Sequence, residues 1–490
     1  MGSLAKWLSE EGDNIVTGSD GPIYPPMSHI LGDSKVQLTD QYSPTNLNGA
    51  KWGIEAANPD IVVIGNAISR GHVEAEIAEK LQAEGRLNIM SFAEALSKYC
   101  IEGRESFVIC GTHGKSTCTS MTAWGLEALG KKPGFFVGAA PLNFQFGMKK
   151  GESHFVSEGD EYDTAYWDKE SKFLHYRPDW VLCTGLEFDH ADIFKNEEDV
   201  LKCFEKLAQK TKKGWVLIDD ASSPAPHLTK RLANFIEELG LKLHRYGHSE
   251  SSDYRIEKMH MKAIELNPDE RAQEEVMEIA LKSRGSSLKE SSSYVGNHNA
   301  LNLCGVHGLL KTSGAAGLGE NCLLDGYSGI KRRQEILFND SRLVVIDDFA
   351  HHPTAIRETI SAVKSRFPNS SVAAFFEPRS ATSARSILQE SMNHAFLEAD
   401  GVFLSPPTKD NVPMEERLNV EEISQKLSPK ICIVEKDVEL LAEQFFKWRK
   451  TQGQTVVALV MSNGAFGGIH DILISKVSHE IALQQRPSCH

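Results

Sequence analysis

Eight short apolar runs punctuate this 490-residue chain, with helical patterns between them. They are "IVVIG" (61–65), "SFVIC" (106–110), "WVLCT" (180–184), "WVLID" (215–219), "LVVIDD" (343–348), "VAAFFEP" (372–378), "GVFLSP" (401–406) and "TVVALVMS" (455–462). Runs of about four to eight apolar residues read as strands covered on both faces, and such strands belong to parallel sheets flanked by helices. Residues 116–129 supply one such helix: Met121, Trp124 and Leu129 are apolar, and Gly130 is placed to end it. The expected class is α/β with largely parallel sheets, whose functional residues gather at the carboxyl ends of strands.

At about 100–200 residues per domain, the length predicts three domains. Boundaries fall near "IEGRE" and after "SGAAGLGENCLLDGYSG", giving 1–104, 105–329 and 330–490. The Ser-rich stretch "KSRGSSLKESSSYVG" (282–296) reads as an internal loop. A formal charge of −14 argues against nucleic acid or an acidic membrane as partner, so an anionic substrate needs local basic groups. The nine cysteines are scattered without metal spacing, which predicts reduced thiols in a cytoplasmic protein. No apolar run approaches the ~18 residues of a membrane span, and "MGSLAKWLSEEGD" lacks the apolar core of a signal peptide. The oligomeric state is not legible at this level.

The chemistry begins at "CGTHGKSTCTS" (110–120). A buried strand runs into it and a helix runs out. Gly111 and Gly114 permit the tight turn that aims backbone N–H groups at an anion. Lys115 would reach the terminal phosphates of a nucleotide, Ser116 would offer a hydroxyl to Mg²⁺, and Thr112, His113 and Thr117 complete the loop. The loop is shorter than the common G-x-x-x-x-G-K-[ST] spelling, because position 109 is Ile109.

Two acidic stretches follow. In "SEGDEYD", Glu158, Asp160, Glu161 and Asp163 crowd one strand end, where like charges repel unless a cation is near. By itself this is most simply a solvated loop. "TGLEFDHADIF" (184–194) adds His190 at a second strand end, and Glu158 with His190 becomes a candidate Mg²⁺ site. In "GNHNALN" (296–302), Asn299 and Asn302 lie one helical turn apart and could read an adenine edge, or one could cap the helix. "GIKRRQ" offers an arginine to a transferring phosphoryl group, and Asp348 ends the following strand. His351 and His352 are adjacent, and neighbours on one loop seldom both ligate one ion. Arg379 of "EPRS" and Asn463 of "MSNGAFGGIH" end later strands as candidate substrate contacts, or as a salt bridge and a turn cap.

Taken in order, these pieces resemble the Mur ligase family over nearly the whole chain. The stretches "VTGSDGPIYPPMS", "GNAISRG", "PLNF", "EGDEYDTAYWDKESKFLHYRP", "LEFDHADIF", "DDFAHHPTAI", "EPRS" and "MSNGAFGGIH" are similar to its murein-tripeptide recycling branch, which the longer "DKESKFLHYRP" connection also favours. The resemblance implies a Rossmann-like UDP-sugar domain, a central ATP domain with a phosphate loop, and a Rossmann-like peptide domain. It implies ATP-dependent joining of UDP-N-acetylmuramate to L-alanyl-γ-D-glutamyl-meso-diaminopimelate through an acylphosphate, with ATP and Mg²⁺. An L-alanine ligase and a nucleotide-binding protein without ligase activity are the alternatives.

By the same resemblance, Lys115 and Ser116 serve the phosphates and the metal, and Glu158 and His190 are metal-site residues. His298, Asn299 and Asn302 lie on the ATP side, Arg333 is the hinge arginine and Asp348 its following aspartate. Ser19 and Asp20, after Gly18, and Asn143 of "PLNF" face the nucleotide sugar. Gly159 stands where the family usually has Ala, a small change. The family's first glycine-rich loop aligns with "MGSLA", so the first sheet is expected to be one strand short and the pyrophosphate less well held.

Overall fold

All eight apolar runs form strands in a computed structural model, which describes residues 1–23, 27–55, 58–261, 277–283, 286–292, 294–317, 320, 322–407 and 412–484. Residues 24–26 of "VTGSDGPIYPPMS", parts of the Ser-rich stretch and Cys489 lie outside them. The chain divides into two bodies: residues 1–186, 198–245 and 305–320, and residues 187–197, 246–304 and 321–490.

In the first body, β1 (Thr17–Ser19) pairs in parallel with β2 (Gln37–Thr39), and β3 (Ile61–Ile64) with β4 (Asn88–Ser91). The main sheet holds β5 (Glu105–Cys110), β6 (Gly134–Phe136), β7 (Met148–Lys149), β8 (His154–Glu158), β9 (Trp180–Cys183) and β10 (Gly214–Ile218), ordered β10-β9-β5-β8-β6-β7. All its pairs are parallel except β6 with the short β7. Central β5 has Phe107, Val108, Ile109 and Cys110 fully buried, because helices cover both faces of such a strand. The expected helix runs Lys115–Ala128, and Gly130 at φ +70° follows its end.

In the second body, the end of β11 (Lys242–Gly247) pairs with β12 (Tyr254–Met261), followed by β13 (Met277–Ser283) and β14 (Ser286–Ser292). The last two correct the loop expected over 282–296: they form an antiparallel hairpin with Ser283 opposite Ser286. Alternation decides it. Met277, Ile279 and Leu281 are buried while Glu278 and Lys282 face solvent, a period-two pattern that serine-rich composition obscures.

The remaining sheet contains β15 (Glu335–Asn339), β16 (Leu343–Asp348), β17 (Ser371–Phe376), β18 (Gly401–Leu404), β19 (Ile431–Val434) and β20 (Val456–Met461), in the order β15-β16-β20-β17-β18-β19. Only edge strand β15 is antiparallel. Alternate residues of β16, β17 and β20 feed two separate cores. Val344, Ile346 and Val457 pack on one face, and Val345, Phe375 and Val460 on the other. This is the doubly wound arrangement, and it places Asp348, the turn after Phe376 and the turn after Met461 along one edge. None of the eight described cysteines forms a disulfide, and no helix among the described residues is long and apolar enough to cross a membrane.

Candidate active site

Strand β5 ends in a turn that only glycine can make. Gly111 has φ +120°, and a Cβ there would sit 2.4 Å from Thr184 Oγ1 and 2.8 Å from the Gly185 carbonyl oxygen. The close approach is locked by Thr112 N–H donating to the Gly185 carbonyl (2.9 Å) and by Thr184 Oγ1 donating to the His113 carbonyl. Gly114, at φ +79°, caps the helix that begins at Lys115, and the Gly114 carbonyl accepts from Cys118 N–H in its first turn, which includes Thr117. The loop therefore ends on a helix N-terminus, whose unpaired N–H groups favour an anion.

Lys115 folds back over this loop. Its ammonium donates to the Gly111 carbonyl (2.8 Å), the Thr112 carbonyl (3.3 Å) and Glu161 Oε1 (3.1 Å), and lies 2.9 Å from Glu161 Oε2. Burial alone would lower its pKa, but the Glu161 carboxylate outweighs burial and holds it above the usual lysine value. The ammonium is held charged at the mouth of this turn.

The four acids expected to repel one another are each given a separate partner. Glu161 takes Lys115, Asp160 takes Lys172 (2.7 Å), and Asp163 takes Lys169. Lysines resolve the crowding of these three. Glu158 differs: it has no ion pair among the described residues. Its carboxylate accepts from Ser116 Oγ (2.8 Å) and from Gly138 N–H (2.7 Å). A carboxylate and a hydroxyl converging at that distance form a hard-oxygen donor pair, which fits Mg²⁺. Gly159 is less neutral than its chemistry suggests, since a Cβ would lie 2.9 Å from Val108 Cγ1 and 3.0 Å from the Ile109 carbonyl.

The nucleotide-sugar candidates of this body are engaged locally. Ser19 donates to Glu74, which also accepts Ser43 N–H (2.8 Å) and Asn46. Asp20 accepts from Tyr42 OH (2.9 Å). Asn143 is half-buried in the turn between β6 and β7.

In the second body, His190 adopts φ +56°, and its N–H donates to Asp189 Oδ1. Asn299 donates to the Val295 carbonyl (2.9 Å), Asn302 leans on Asn299 Oδ1 (3.4 Å), and both are buried on one helix face. Gln334 joins them through the Val295 carbonyl and His298 Nε2. The "KRRQ" turn divides its two arginines. Arg332 is anchored to Asp347 (3.1 Å) and to the Ser462 and Gly464 carbonyls (2.7 Å each). Both guanidinium groups lie over the Phe349 ring, and Arg333 lacks the Asp347 anchor. Asp348 accepts Gln334 and Ala350 N–H groups, and its burial pushes its carboxyl above the usual value against the opposing charge of Arg333. His351 and His352 point to different partners, the Phe349 carbonyl and Glu187, as adjacent residues on one loop tend to do.

Arg379 and Asn463, singled out at separate strand ends, line one cavity of about 800 Å³ with Arg332, Asp347, His470 and Asp471. Arg379 lies over Gly464 and has no ion pair among the described residues. Asn463 Oδ1 is buried without a hydrogen-bond partner there. Neither is the salt bridge or turn cap that each could have been. Asp347 and His470, 3.2 Å apart, were passed over in sequence, although both lie in stretches that carried other candidates.

Comparison with known proteins agrees with this arrangement. The Mur ligase middle domain matches residues 109–310, and the Mur ligase glutamate ligase domain matches residues 332–464. The chain is 32% identical to the Escherichia coli K12 UDP-N-acetylmuramate--L-alanyl-gamma-D-glutamyl-meso-2,6-diaminoheptandioate ligase, over 99% of this chain and 97% of that one. The chain belongs to the Mur ligase family. A murein peptide ligase from Psychrobacter arcticus is similar in structure, with TM-score 0.62 and 28% identity over 97% of this chain and 96% of that one. The UDP-N-acetylmuramate-alanine ligase of Thermotoga maritima shares the fold at TM-score 0.67 and 21% identity, over 95% of this chain and all of that one. The Mur ligase fold is the three-domain α/β arrangement expected from the length and the apolar runs, and membership makes this chain an ATP-dependent ligase that forms an amide bond.

Proposed function

We infer that this Mur ligase joins UDP-N-acetylmuramate to the tripeptide L-alanyl-γ-D-glutamyl-meso-diaminopimelate. The observation that carries the reading is near full-length similarity to the Escherichia coli tripeptide ligase. Residues 1–104 take the nucleotide sugar through Ser19 and Asp20, with Asn143 contributed by the next domain. Residues 105–329 take ATP, and residues 330–490 the peptide.

Lys115 stabilises charge on the transferred phosphoryl group, and the loop N–H groups hold the phosphates. The muramoyl carboxylate attacks the γ-phosphorus, ADP leaves, and the peptide amine displaces phosphate from the acylphosphate to form the amide. Ser116 and Glu158 hold Mg²⁺, which when bound neutralises phosphate charge. His190 is carried over as a metal-site histidine, His298, Asn299 and Asn302 as adenine-side residues, and Arg333 and Asp348 as ATP-side residues. In the peptide cavity, Arg379 suits a carboxylate. Asn463 Oδ1 and Asp471 suit an ammonium, as a peptide ending in a diamino diacid requires.

Choice of amine tests the reading. Purified protein with ATP and UDP-N-acetylmuramate should release phosphate with the tripeptide and not with L-alanine. Turnover with L-alanine alone would assign the L-alanine ligase reaction instead.

A further inference from the structure

The segment "DKESKFLHYRP" (168–178) has no part in the chemistry above, yet it lies between two features of the first body. On one side it braces the acidic loop: Ser171 Oγ donates to the Glu161 carbonyl (2.6 Å), and Lys172 pairs with Asp160. On the other side Glu170, Leu174, His175, Tyr176 and Arg177 form one wall of a cleft of about 840 Å³. The opposite walls come from residues 90–106 and 206–212. Arg104 immediately precedes β5, Arg177 shortly precedes β9, and Lys212 shortly precedes β10. The cleft therefore opens at the amino ends of these strands. The phosphate loop leaves the carboxyl end of β5, about 20 Å away for a six-residue strand.

The charge of this cleft runs against that of the protein. In a chain of formal charge −14, it gathers Lys98, Arg104, Arg177, Lys206, Lys210 and Lys212, against Glu94, Glu102 and Glu170. Lys206 is paired with Glu170, and Arg104 donates to the Gly151 and Cys100 carbonyls. Lys98, Arg177 and Lys210 have no carboxylate within 4 Å among the described residues. Lys210 ends the helix Glu197–Lys210, where a cation also complements the helix dipole. Lys98 also lies in the last turn of a helical segment, and over the Tyr99 ring, so of the three only Arg177 has no such explanation. Lys98 sits in a π-helical turn (Ser97–Ile101), and Arg177 adopts φ +44°, an uncommon backbone for a side chain of its size. Like charges gathered in a concave site cost energy unless an anion shares it, and the cleft has the volume of a small-molecule site.

We propose that this cleft is a second anion site, separate from the phosphate loop, which binds a small molecule carrying a chain of phosphates. Lys98 and Arg177 are its principal contacts.

Calorimetry with inorganic tripolyphosphate on the full-length protein tests it. Two binding events per chain are expected. Lys98→Ala with Arg177→Ala should weaken one of them at least tenfold and leave the other, while Lys115→Ala removes the other. The control pair Lys230→Ala with Lys242→Ala, exposed elsewhere on the same body, should change neither. Melting curves establish that each variant is folded. A single event abolished by Lys115→Ala overturns the proposal, as does equal weakening by the control pair. ATP titrated into Lys115→Ala then separates the sources: equal affinity points to the phosphate chain alone, and tighter binding to a nucleotide.

Discussion

Lys115 and Glu161 form a largely buried ion pair, with Nζ 2.9 Å from Oε2, at the mouth of the proposed phosphate loop. The lysine therefore has an anion before any phosphate arrives. Glu161→Gln removes that anion and leaves a largely buried cation with neutral acceptors only. Stability should fall by on the order of 2 kcal/mol, because breaking one partner of a buried pair strands the other. ATP restores an anion, so its stabilising effect should be larger in the variant than in the parent. Melting with and without ATP measures both, and an equal ATP shift in the two proteins would sink the argument.

Glu158 is the one of the four acids without a lysine partner among the described residues, and the proposed metal ligand. Glu158→Gln keeps an acceptor oxygen for Ser116 but loses the charge, so the Mg²⁺ concentration at half-maximal turnover should rise roughly tenfold. Ser116→Ala should shift it in the same direction. A Mg²⁺ titration unchanged in both variants would remove these residues from the metal site.

Gly111→Ala places a methyl group against Thr184 Oγ1 and the Gly185 carbonyl at a backbone angle that L-residues avoid. The expected cost is on the order of 3 kcal/mol, with loss of nucleotide binding. Denaturant unfolding and nucleotide titration check it. Near-parental stability would mean that the turn has another conformation available.

Arg379→Ala should raise KM for the tripeptide roughly tenfold to a hundredfold, the loss of one charge-assisted contact. ATP affinity should stay unchanged. If KM for ATP moves instead, the cavity around Asn463 serves the nucleotide and not the peptide.

Burial alone would raise the Asp160 carboxyl, but the Lys172 ammonium beside it holds it below the usual carboxylate value. A depressed carboxyl adds stability that is present above the unfolded value and is lost as pH falls through the folded one. Asp160→Asn should therefore melt lower than the parent at pH 7. The two curves should converge as pH falls below the ordinary carboxylate value and through the depressed one. A constant difference across that range would show that Asp160 acts through shape and not through charge.

The residue order alone determined the α/β class, the eight principal strands and the glycine turn that leads from β5 into a helix. Each of these rests on near neighbours in the chain: an apolar run long enough for a buried strand, two glycines where the turn must be tight, a lysine and serine at the helix start. The same locality explains the failure over 282–296. There the apolar alternation lies mostly before the serine-rich stretch, and β14 finds its place only by pairing with β13.

Tertiary structure alone decided how the acidic loop is wired. In sequence Glu158, Asp160, Glu161 and Asp163 are four equivalent charges. Folding assigns Lys115 to one and Lys172 to another, and leaves Glu158 to Ser116 and Gly138. It also gathered Arg379, Asn463, His470 and Asp347 into one cavity from three separate stretches of the chain, and split Arg332 from Arg333 by anchoring only the first to Asp347. The physical reason is common to all of these. The range of a charge or a hydrogen bond is a few ångströms in space, and parallel strands bring distant residues within that range at their carboxyl ends, where separation along the chain no longer measures distance.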